Sequence, residues 1–194
     1  MISFVKAIIK VFLCKVFYKV EFINKENEEK LEKCILCPNH SNKCEPAWIY
    51  ANTNDISIMA KAELFENKLM AKIYNYFGVF PIKRGKHDVR SLIHAINLFK
   101  KDICKKMLIF PEGERVGKNE KKREAKVGPV YIAYKANVPI IPVYITKNAK
   151  LFSKVKIIYG KPVYISKDII EDKEKIKKLA NELLDECYKM REGW

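Results

Sequence analysis

Residues 34–51 read CILCPNHSNKCEPAWIYA and form the segment on which the fold prediction depends. An apolar run at 34–37 stops at Pro38, a pattern typical of a short buried strand. Pro46 suits the first position of a helix, so the sequence predicts a helix from there to residue 51. The polar residues in between therefore connect the end of a buried strand to the start of a helix.

Strand-like and helical patterns alternate on both sides of this segment. Apolar or alternating runs predict strands at 17–24, from residue 56, at 79–84, 107–110, 138–145 and, as one or two strands, 154–165. Helical spacing predicts helices at 63–77, 88–101, 128–137 and 167–190, and the charged residues 25–33 are predicted to form a surface loop. This alternation predicts a single α/β domain with a central, mostly parallel or mixed sheet flanked by helices.

The composition fits one globular domain with a basic surface. The chain has 194 residues, of which 48% are hydrophobic and 31% charged, and its net charge is +15. Such an excess favours an anionic partner: nucleic acid, an anionic membrane or an acidic carrier protein. The sequence contains no zinc-finger, helix-turn-helix or aromatic RNA-binding motif, and its lysines are spread along the chain. We therefore do not expect nucleic acid to be the partner.

The N-terminal segment is apolar but interrupted by charge. Four lysines divide it into short apolar runs: Lys6, Lys10, Lys15 and Lys19. A bilayer-spanning helix needs about 20 mostly apolar residues, so we predict none here. At helical spacing the first two lysines lie opposite the last two, which fits a helix at the lipid interface or a helix packed on the core. We expect residues 1–16 to form a membrane-surface helix ahead of a domain at 17–194.

The cysteines do not predict a disulfide framework or a metal site. No secretory leader with a small-residue cleavage site is evident, so we expect reduced thiols. Cys34, Cys37, His40 and Cys44 have ligand-like spacing, but the two cysteines on the predicted strand would point to opposite faces. Cys44 beside His40 could form a thiol nucleophile pair, although we interpret this cysteine as a bystander.

A histidine and an acid follow the predicted strand at 34–37. His40 and Glu45 are five positions apart, too far round a regular helix to touch, but they can meet in a turn that enters a helix. Neutral imidazole accepts a proton near neutral pH, and a carboxylate on its other nitrogen fixes the tautomer. Taken alone, a histidine near an acid is more often structural than catalytic.

Two further segments place charge at predicted strand ends. Phe110-Pro111-Glu112-Gly113-Glu114-Arg115 follows a buried strand, at the end where open α/β sheets bind ligands. Gly113 permits a tight turn, and Arg115 offers a forked donor for a phosphate. Lys83 and Arg84 end another strand and form a second cationic cluster. Each segment alone would also fit an ordinary solvated turn.

Together these segments resemble the 1-acylglycerol-3-phosphate acyltransferase family. The family's His-x4-Asp block is similar to His40–Glu45, and its Gly-x-x-x-Ile-x-Arg block to Gly78–Arg84. Its Phe-Pro-Glu-Gly-Thr-Arg block is similar to Phe110–Arg115, and its Val-Pro-Ile-x-Pro block to Val138–Pro142. The resemblance covers roughly residues 18–165. This chain departs from the family in having Glu45 in place of aspartate and Glu114 in place of threonine or serine.

The resemblance implies an activity and a role for each matching residue. It implies acyl transfer from acyl-CoA or acyl carrier protein to the free hydroxyl of lysophosphatidic acid, without a metal or cofactor. The protein would lie at the cytoplasmic face of the membrane as a peripheral or monotopic protein, in contact with anionic lipid. The implied base is His40, oriented by Glu45. The acceptor's phosphate would be bound by Arg84 and Arg115 with Lys83 or Lys126, in a site shaped by Glu112 and Gly113.

Two alternatives stay open at this point. The same fold could transfer the acyl chain to glycerol 3-phosphate or to another lysophospholipid. It could also belong to a non-catalytic membrane-binding relative. Chain-length preference, the preferred thioester carrier and the oligomeric state leave no local pattern in the sequence.

Overall fold

Seven strands form one sheet in the computed structural model, which describes residues 2–83, 88–117, 120 and 123–191. The strands are β1 Lys19–Ile23, β2 Cys34–Pro38, β3 Ile56–Lys61, β4 Val79–Ile82, β5 Lys106–Leu108, β6 Ile140–Ile145 and β7 Lys154–Tyr159. Their order across the sheet is β1-β7-β6-β2-β5-β3-β4. Strands β2 to β6 run parallel to one another, whereas β7 is antiparallel to β6 and parallel to β1. The predicted mixed, mostly parallel α/β sheet is confirmed.

Helices connect the strands and cover both faces of the sheet. They are α1 Ile2–Ile8, α2 Glu26–Glu29, α3 Glu45–Asn52, α4 Lys68–Tyr76, α5 Val89–Lys100, α6 Gly128–Ala136, α7 Lys167–Ile170 and α8 Lys173–Lys189. A π-helical segment, Ile9–Phe17, continues α1, and a 3-10 turn, Ala62–Phe65, precedes α4. Gly78 follows α4 with φ of 73°, where a Cβ would lie 3.3 Å from the Ile56 carbonyl oxygen. Both the backbone conformation and the available space require glycine at this position, just after the helix ends.

One local prediction is wrong, and one predicted strand segment is shorter in the structure. The predicted surface loop at 25–33 contains α2, and Glu28 is buried. The buried Lys106 lies beneath this helix and donates from Nζ to the Glu28 carbonyl at 2.9 Å and to the Leu31 carbonyl. Lys106, which is distant in sequence, thus provides hydrogen-bond donors for backbone carbonyl groups of a charged segment whose sequence pattern predicts an exposed loop. Of the predicted 154–165 strands, β7 ends at Tyr159, and beyond it only Val163 bridges to Ile140 among the described residues.

Strand alternation separates two apolar cores. In β2, Cys34 and Leu36 pack on one face, while Ile35 and Cys37 pack on the other. The first face is covered by α3 and the N-terminal helical segment, and the second by α5, α6 and α8. Each fully buried large apolar side chain contributes about 1.5–3 kcal/mol. The two strand cysteines point to opposite faces, as the strand prediction required.

The N-terminal helical segment, residues 2–17, is part of the packed structure and also has an exposed side. Cys14 is buried, and Lys6 Nζ donates to the Thr53 carbonyl at 2.6 Å. Phe4 and Phe12 are exposed. Within the described part of the chain, no helix is both long and apolar enough to cross a bilayer. The division into a helix at 1–16 and a domain at 17–194 stays a prediction.

Parallel strands bring their carboxyl ends to one side of the sheet, called here the carboxyl edge. His40 lies just beyond β2, Lys83 just beyond β4, and the segment Phe110–Arg115 just beyond β5. Because these strands are parallel, the three segments lie along the same edge. The fold therefore collects the residues singled out in the sequence on one side of the molecule.

Candidate active site

His40 and Glu45 form a hydrogen-bonded pair at the carboxyl edge. His40 Nδ1 lies 2.6 Å from Glu45 Oε2. Pro46 occupies the first turn of α3, which Glu45 begins, and the intervening turn folds the acid back beneath the imidazole. The predicted contact between these two side chains is present.

The Glu45 carboxylate is held in place by the loop that it follows. It is fully buried and accepts hydrogen bonds from the Ser41 amide at 3.1 Å, the Ser41 hydroxyl at 2.9 Å and the Asn42 amide at 2.8 Å. A buried carboxylate is costly unless its oxygens accept several hydrogen bonds, and these donors satisfy that need. The acid is therefore fixed before any substrate binds.

The imidazole of His40 has one nitrogen engaged and one available. Because Nδ1 donates to Glu45, the neutral ring has its acceptor lone pair on Nε2. The ring stacks on Phe110 with centroids 3.9 Å apart and an interplanar angle of 29°. The side chain is 13% exposed, so the pair is shielded while the ring keeps contact with the outside. This arrangement can remove a proton from a hydroxyl group.

Glu112 connects three parts of the molecule behind the pair. Its Oε2 accepts from the His40 backbone amide at 2.8 Å, and its Oε1 accepts from the Tyr188 hydroxyl of α8 at 2.8 Å. The side chain is buried, and burial raises its pKa above the ordinary value, although these hydrogen bonds oppose the change. Burial and the neighbouring Glu112 carboxylate also raise the pKa of Tyr188. The Glu112 carboxylate thus holds His40 in position from behind.

Gly113 forms the turn after β5. Its φ is 77°, and its amide donates to the Phe110 carbonyl at 3.0 Å. A Cβ would meet the Lys126 stem only at ordinary contact distance, 3.6 Å, so backbone conformation is what requires glycine. The Lys126 amide in turn donates to the Pro111 carbonyl at 2.8 Å. Lys126 is thereby placed beside this turn, with its side chain exposed.

The predicted cationic residues lie at different distances from the pair. The Val116 amide donates to the His40 carbonyl at 2.8 Å, which places the exposed Arg115 next to the loop at 39–44 that carries His40. Lys83 is exposed, but β4 is third from β2 across the sheet, about 14 Å at the usual strand spacing. The predicted site residue Arg84 lies outside the described residues.

Glu114 does not leave an isolated negative charge beside these cations. Its Oε1 pairs with the Arg123 guanidinium at 2.6 Å, and Arg123 also contacts Glu120 at 3.3 Å. The departure from the family's threonine or serine is therefore matched by a nearby arginine. Both groups are exposed, so the pair adds little stability.

The thiols take no part in the pair. Cys44 precedes α3, its amide donates to the Asn42 side chain at 2.9 Å, and its thiol hydrogen-bonds with the Tyr18 side chain. Within the described ranges, no three His, Cys, Asp or Glu side chains are grouped so as to hold a metal ion.

Four further residues support the site and were not assigned roles from the sequence. Ser41 and Phe110 contact the pair, and both were visible within the motifs already quoted. Asn39 is buried and exchanges two hydrogen bonds with Ile145, at 3.0 and 2.7 Å, which join the ends of β2 and β6. Tyr188 lies 76 residues beyond its partner Glu112, and no local pattern predicts that contact.

A buried acid beside a histidine, at the carboxyl edge of an α/β sheet, defines a protein that can activate a hydroxyl nucleophile. The acyltransferase family model matches residues 19–146, which is more than half of the chain. The chain therefore belongs to the acyltransferase family.

Curated relatives and one solved structure are consistent with that membership. A 1-acyl-sn-glycerol-3-phosphate acyltransferase of Streptococcus pneumoniae is 29% identical over 168 residues, 83% of this chain and 61% of the relative. One of Bacillus subtilis is 28% identical over 157 residues, 75% of this chain and 74% of the relative. The crystal structure of the 1-acyl-sn-glycerophosphate acyltransferase PlsC of Thermotoga maritima matches with a TM-score of 0.73 and 23% identity, covering 100% of this chain and 80% of that one. This last likeness concerns the fold.

Proposed function

We propose that the protein transfers an acyl chain from an acyl-CoA or acyl carrier protein thioester to the free hydroxyl of lysophosphatidic acid, giving phosphatidic acid for phospholipid synthesis. The observation that carries the proposal is the 2.6 Å contact between His40 Nδ1 and the buried Glu45, which leaves Nε2 able to accept a proton. Family membership and the names of the two bacterial relatives support the choice of reaction and acceptor.

The proposed reaction is a direct displacement at the thioester carbonyl. Nε2 of His40 takes the proton of the acceptor hydroxyl, and Glu45 stabilises the imidazolium that forms. The hydroxyl oxygen bonds to the acyl carbon and gives a tetrahedral oxyanion. This intermediate collapses with cleavage of the carbon–sulfur bond, and the leaving thiolate takes the proton back from His40. The proposed route includes no covalent acyl-enzyme.

Exposed cations beside the pair would bind the acceptor's phosphate. We assign this role first to Arg115 and Lys126, because both adjoin the turn after β5, the strand next to β2. An arginine fork suits two phosphate oxygens, and a lysine adds a point charge. Lys83 and Arg84 stay candidates for a more distant contact. Glu112 and Gly113 shape this side of the site through the bonds described above.

We propose that the protein works at the cytoplasmic face of the membrane. Exposed apolar residues on the N-terminal helical segment, such as Phe4 and Phe12, support contact with lipid. The net charge of +15 supports attraction to anionic lipid and to an acidic carrier protein.

The test is thiol release when a thioester donor and lysophosphatidic acid are mixed with the protein. His40→Ala should lower the rate at least about 100-fold, because a positioned base contributes on that order. His94→Ala is the matched control, since His94 is exposed on α5 and its ring makes an edge-to-face contact with Phe80. An unchanged rate in His40→Ala would remove the base from the proposal. Glycerol 3-phosphate and other lysophospholipids, tested as acceptors, decide the substrate, and no thiol release with any acceptor would indicate a non-catalytic relative.

A further inference from the structure

Three exposed apolar residues lie together beside the loop at 39–44 that carries His40, called here the catalytic loop. Phe17 ends the N-terminal helical segment, and Leu151 and Phe152 lie in the loop between β6 and β7. The rings of Phe17 and Phe152 have centroids 6.1 Å apart, and the Phe152 amide donates to the Phe17 carbonyl at 2.7 Å. Leu151 and Phe152 are 55% and 62% exposed. We call these three residues the apolar tip.

The loop that carries the tip holds Phe152 outward at a conformational cost. The φ of Phe152 is 63°, in the left-handed region that bulky side chains rarely adopt. Strain of this kind persists only where surrounding structure imposes it, and here the bond to the Phe17 carbonyl does so. The loop thus exposes an aromatic ring to solvent, although aromatic rings are usually buried.

Four exposed lysines lie within two residues of the apolar tip along the chain: Lys15, Lys19, Lys150 and Lys154. Three of them line a shallow depression of about 350 Å³ together with Glu21. None of the four has an ion-pair partner among the residues that the structure describes. An apolar centre with a cationic rim is complementary to a bilayer that contains anionic lipid, where rings enter the interface and ammonium groups meet phosphates.

The loop of the tip is bonded directly to the catalytic loop. The Asn148 amide donates to the Ser41 hydroxyl at 3.1 Å, and the Asn42 side-chain amide donates to the Ala149 carbonyl at 3.0 Å. The same Ser41 hydroxyl donates to Glu45. Strand directions place the end of β6 and the start of β7 at the carboxyl edge, beside His40. The tip and the catalytic pair therefore face the same side of the molecule.

We propose that the apolar tip and its lysine rim are a docking surface for an anionic bilayer, and that docking sets the catalytic pair against the lipid from which the acceptor comes. The catalytic half of this statement rests on the proposed function, whereas the docking half does not. A bilayer is favoured as the occupant by the exposed rings, by lysines without an ion-pair partner among the described residues, and by direct continuity with the catalytic loop.

The test is binding to vesicles by co-sedimentation. In the double variant Leu151→Ser/Phe152→Asn the apolar groups are removed, and asparagine tolerates the left-handed conformation at 152. We expect at least about tenfold weaker binding to phosphatidylcholine–phosphatidylglycerol vesicles, because two large apolar contacts are lost. Ile103→Ser is the matched control: Ile103 is 64% exposed but precedes β5, at the opposite edge of the sheet, and its removal should leave binding unchanged.

A charge variant tests the rim separately from the tip. Lys150→Glu/Lys154→Glu should abolish the preference for anionic over pure phosphatidylcholine vesicles, while the circular dichroism spectrum stays that of the parent protein. If the tip variant binds vesicles as tightly as the wild-type protein does, the proposed docking surface is wrong. A wild-type dimer that the tip variant dissociates would also overturn it, since the tip would then be an interface between two copies. Vesicle binding is measured without substrate, so its failure and the failure of acyl transfer are independent results.

Discussion

At the scale of single residues, the length of the acid decides how the His40–Glu45 pair is built. Glu45 reaches His40 from the start of α3, where the family's usual residue would be an aspartate. Glu45→Asp withdraws the carboxylate by about 1.5 Å, one carbon–carbon bond, and should break the contact with Nδ1. We expect turnover to fall about 10- to 100-fold, as it does when a partner that orients a functional histidine is lost.

The measurement for this prediction is the rate of thiol release for Glu45→Asp beside Glu45→Gln. The glutamine keeps the reach but loses the charge that stabilises the imidazolium, so it should also be slow. If Glu45→Asp is as fast as the parent enzyme, the glutamate's length has no part in orienting His40. A matched control is Glu26→Asp, because Glu26 is exposed on α2, which precedes β2 and therefore lies at the edge of the sheet opposite the pair.

Glu112 makes stability depend on pH in a direction opposite to that of a paired acid. Burial raises its pKa above the ordinary value of 4.5, so the folded state binds the proton more readily than the unfolded state. Between 4.5 and the raised pKa, stability therefore falls as pH rises, and the unfavourable contribution persists at neutral pH. Glu112→Gln removes the charge while its amide can still pair with the His40 amide and the Tyr188 hydroxyl.

We expect Glu112→Gln to have a Tm at neutral pH equal to or above that of the parent protein. The difference should disappear below the ordinary pKa, where Glu112 is protonated in both states. Thermal unfolding followed by circular dichroism over a pH series measures this. Glu112→Ala is the contrasting variant and should lose about 2–4 kcal/mol below the ordinary pKa, and less at neutral pH, because it leaves the His40 amide without an acceptor and opens a cavity. A Tm for Glu112→Gln well below that of the parent at neutral pH would contradict the assigned sign.

At the scale of elements, sequence periodicity was a sound guide to strands and long helices. The apolar run at 34–37 and the amphipathic pattern at 88–101 correspond to β2 and α5, since burial of one face imposes the period. The charged segment at 25–33 misled because its partner, Lys106, comes from a distant strand. The order of the strands, with β5 between β2 and β3, could not be read, since pairing depends on contacts distant in sequence.

In the candidate site, too, the contacts that are local in sequence were predictable and the distant ones were not. His40 and Glu45 were predictable because a short turn and Pro46 bring them together locally. The role of Glu112 behind the pair was not predictable. The hydrogen bonds that it accepts from the His40 amide and from the Tyr188 hydroxyl span 72 and 76 residues. The motif around Glu112 was visible in the sequence, but its carboxylate was expected in the acceptor site. The structure shows both carboxylate oxygens bonded to the protein.

Asn39 joins two strands at the edge where the site is built. Its side-chain amide donates to the Ile145 carbonyl and accepts from the Ile145 amide, so it replaces one step of the ladder between β2 and β6. Asn39→Ala leaves both backbone groups buried and unpaired, and we expect a loss of about 2–4 kcal/mol. Urea unfolding measures it, with Asn54→Ala as the exposed control, expected to change stability by less than about 0.5 kcal/mol. A loss that small in Asn39→Ala would mean that water replaces the side chain.

At the scale of the whole molecule, strand direction places the residues proposed for recognition and for chemistry on one side. The ends of β2, β5 and β6 bring the histidine pair, the arginine-bearing turn and the apolar tip to the carboxyl edge. The opposite edge is closed by Lys106 and α2. Composition predicted an anionic partner from the net charge, but only the fold shows which exposed lysines lie near apolar groups on the same side as His40 and Glu45.

The N-terminal helical segment packs on the core in addition to any contact that it makes with a membrane. A truncation therefore does not test membrane contact alone. Removal of residues 1–16 would uncover α3, where Trp48 is buried, and would delete the buried Cys14. It would also break the bond from Lys6 to the Thr53 carbonyl. We expect this truncation to lower the Tm by several degrees, because buried apolar area is lost. Weak vesicle binding by the truncated chain would therefore mix two causes.

A substitution on the exposed side separates them. Phe4→Ser/Phe12→Ser removes two exposed rings and leaves the packed side intact, so its Tm should stay within about 2 °C of the parent protein. Flotation with anionic vesicles should nevertheless weaken about tenfold if these rings enter the interface, since each contributes apolar burial there. If both flotation and Tm stay like those of the parent protein, the segment serves core packing alone. Membrane contact would then be made by the apolar tip.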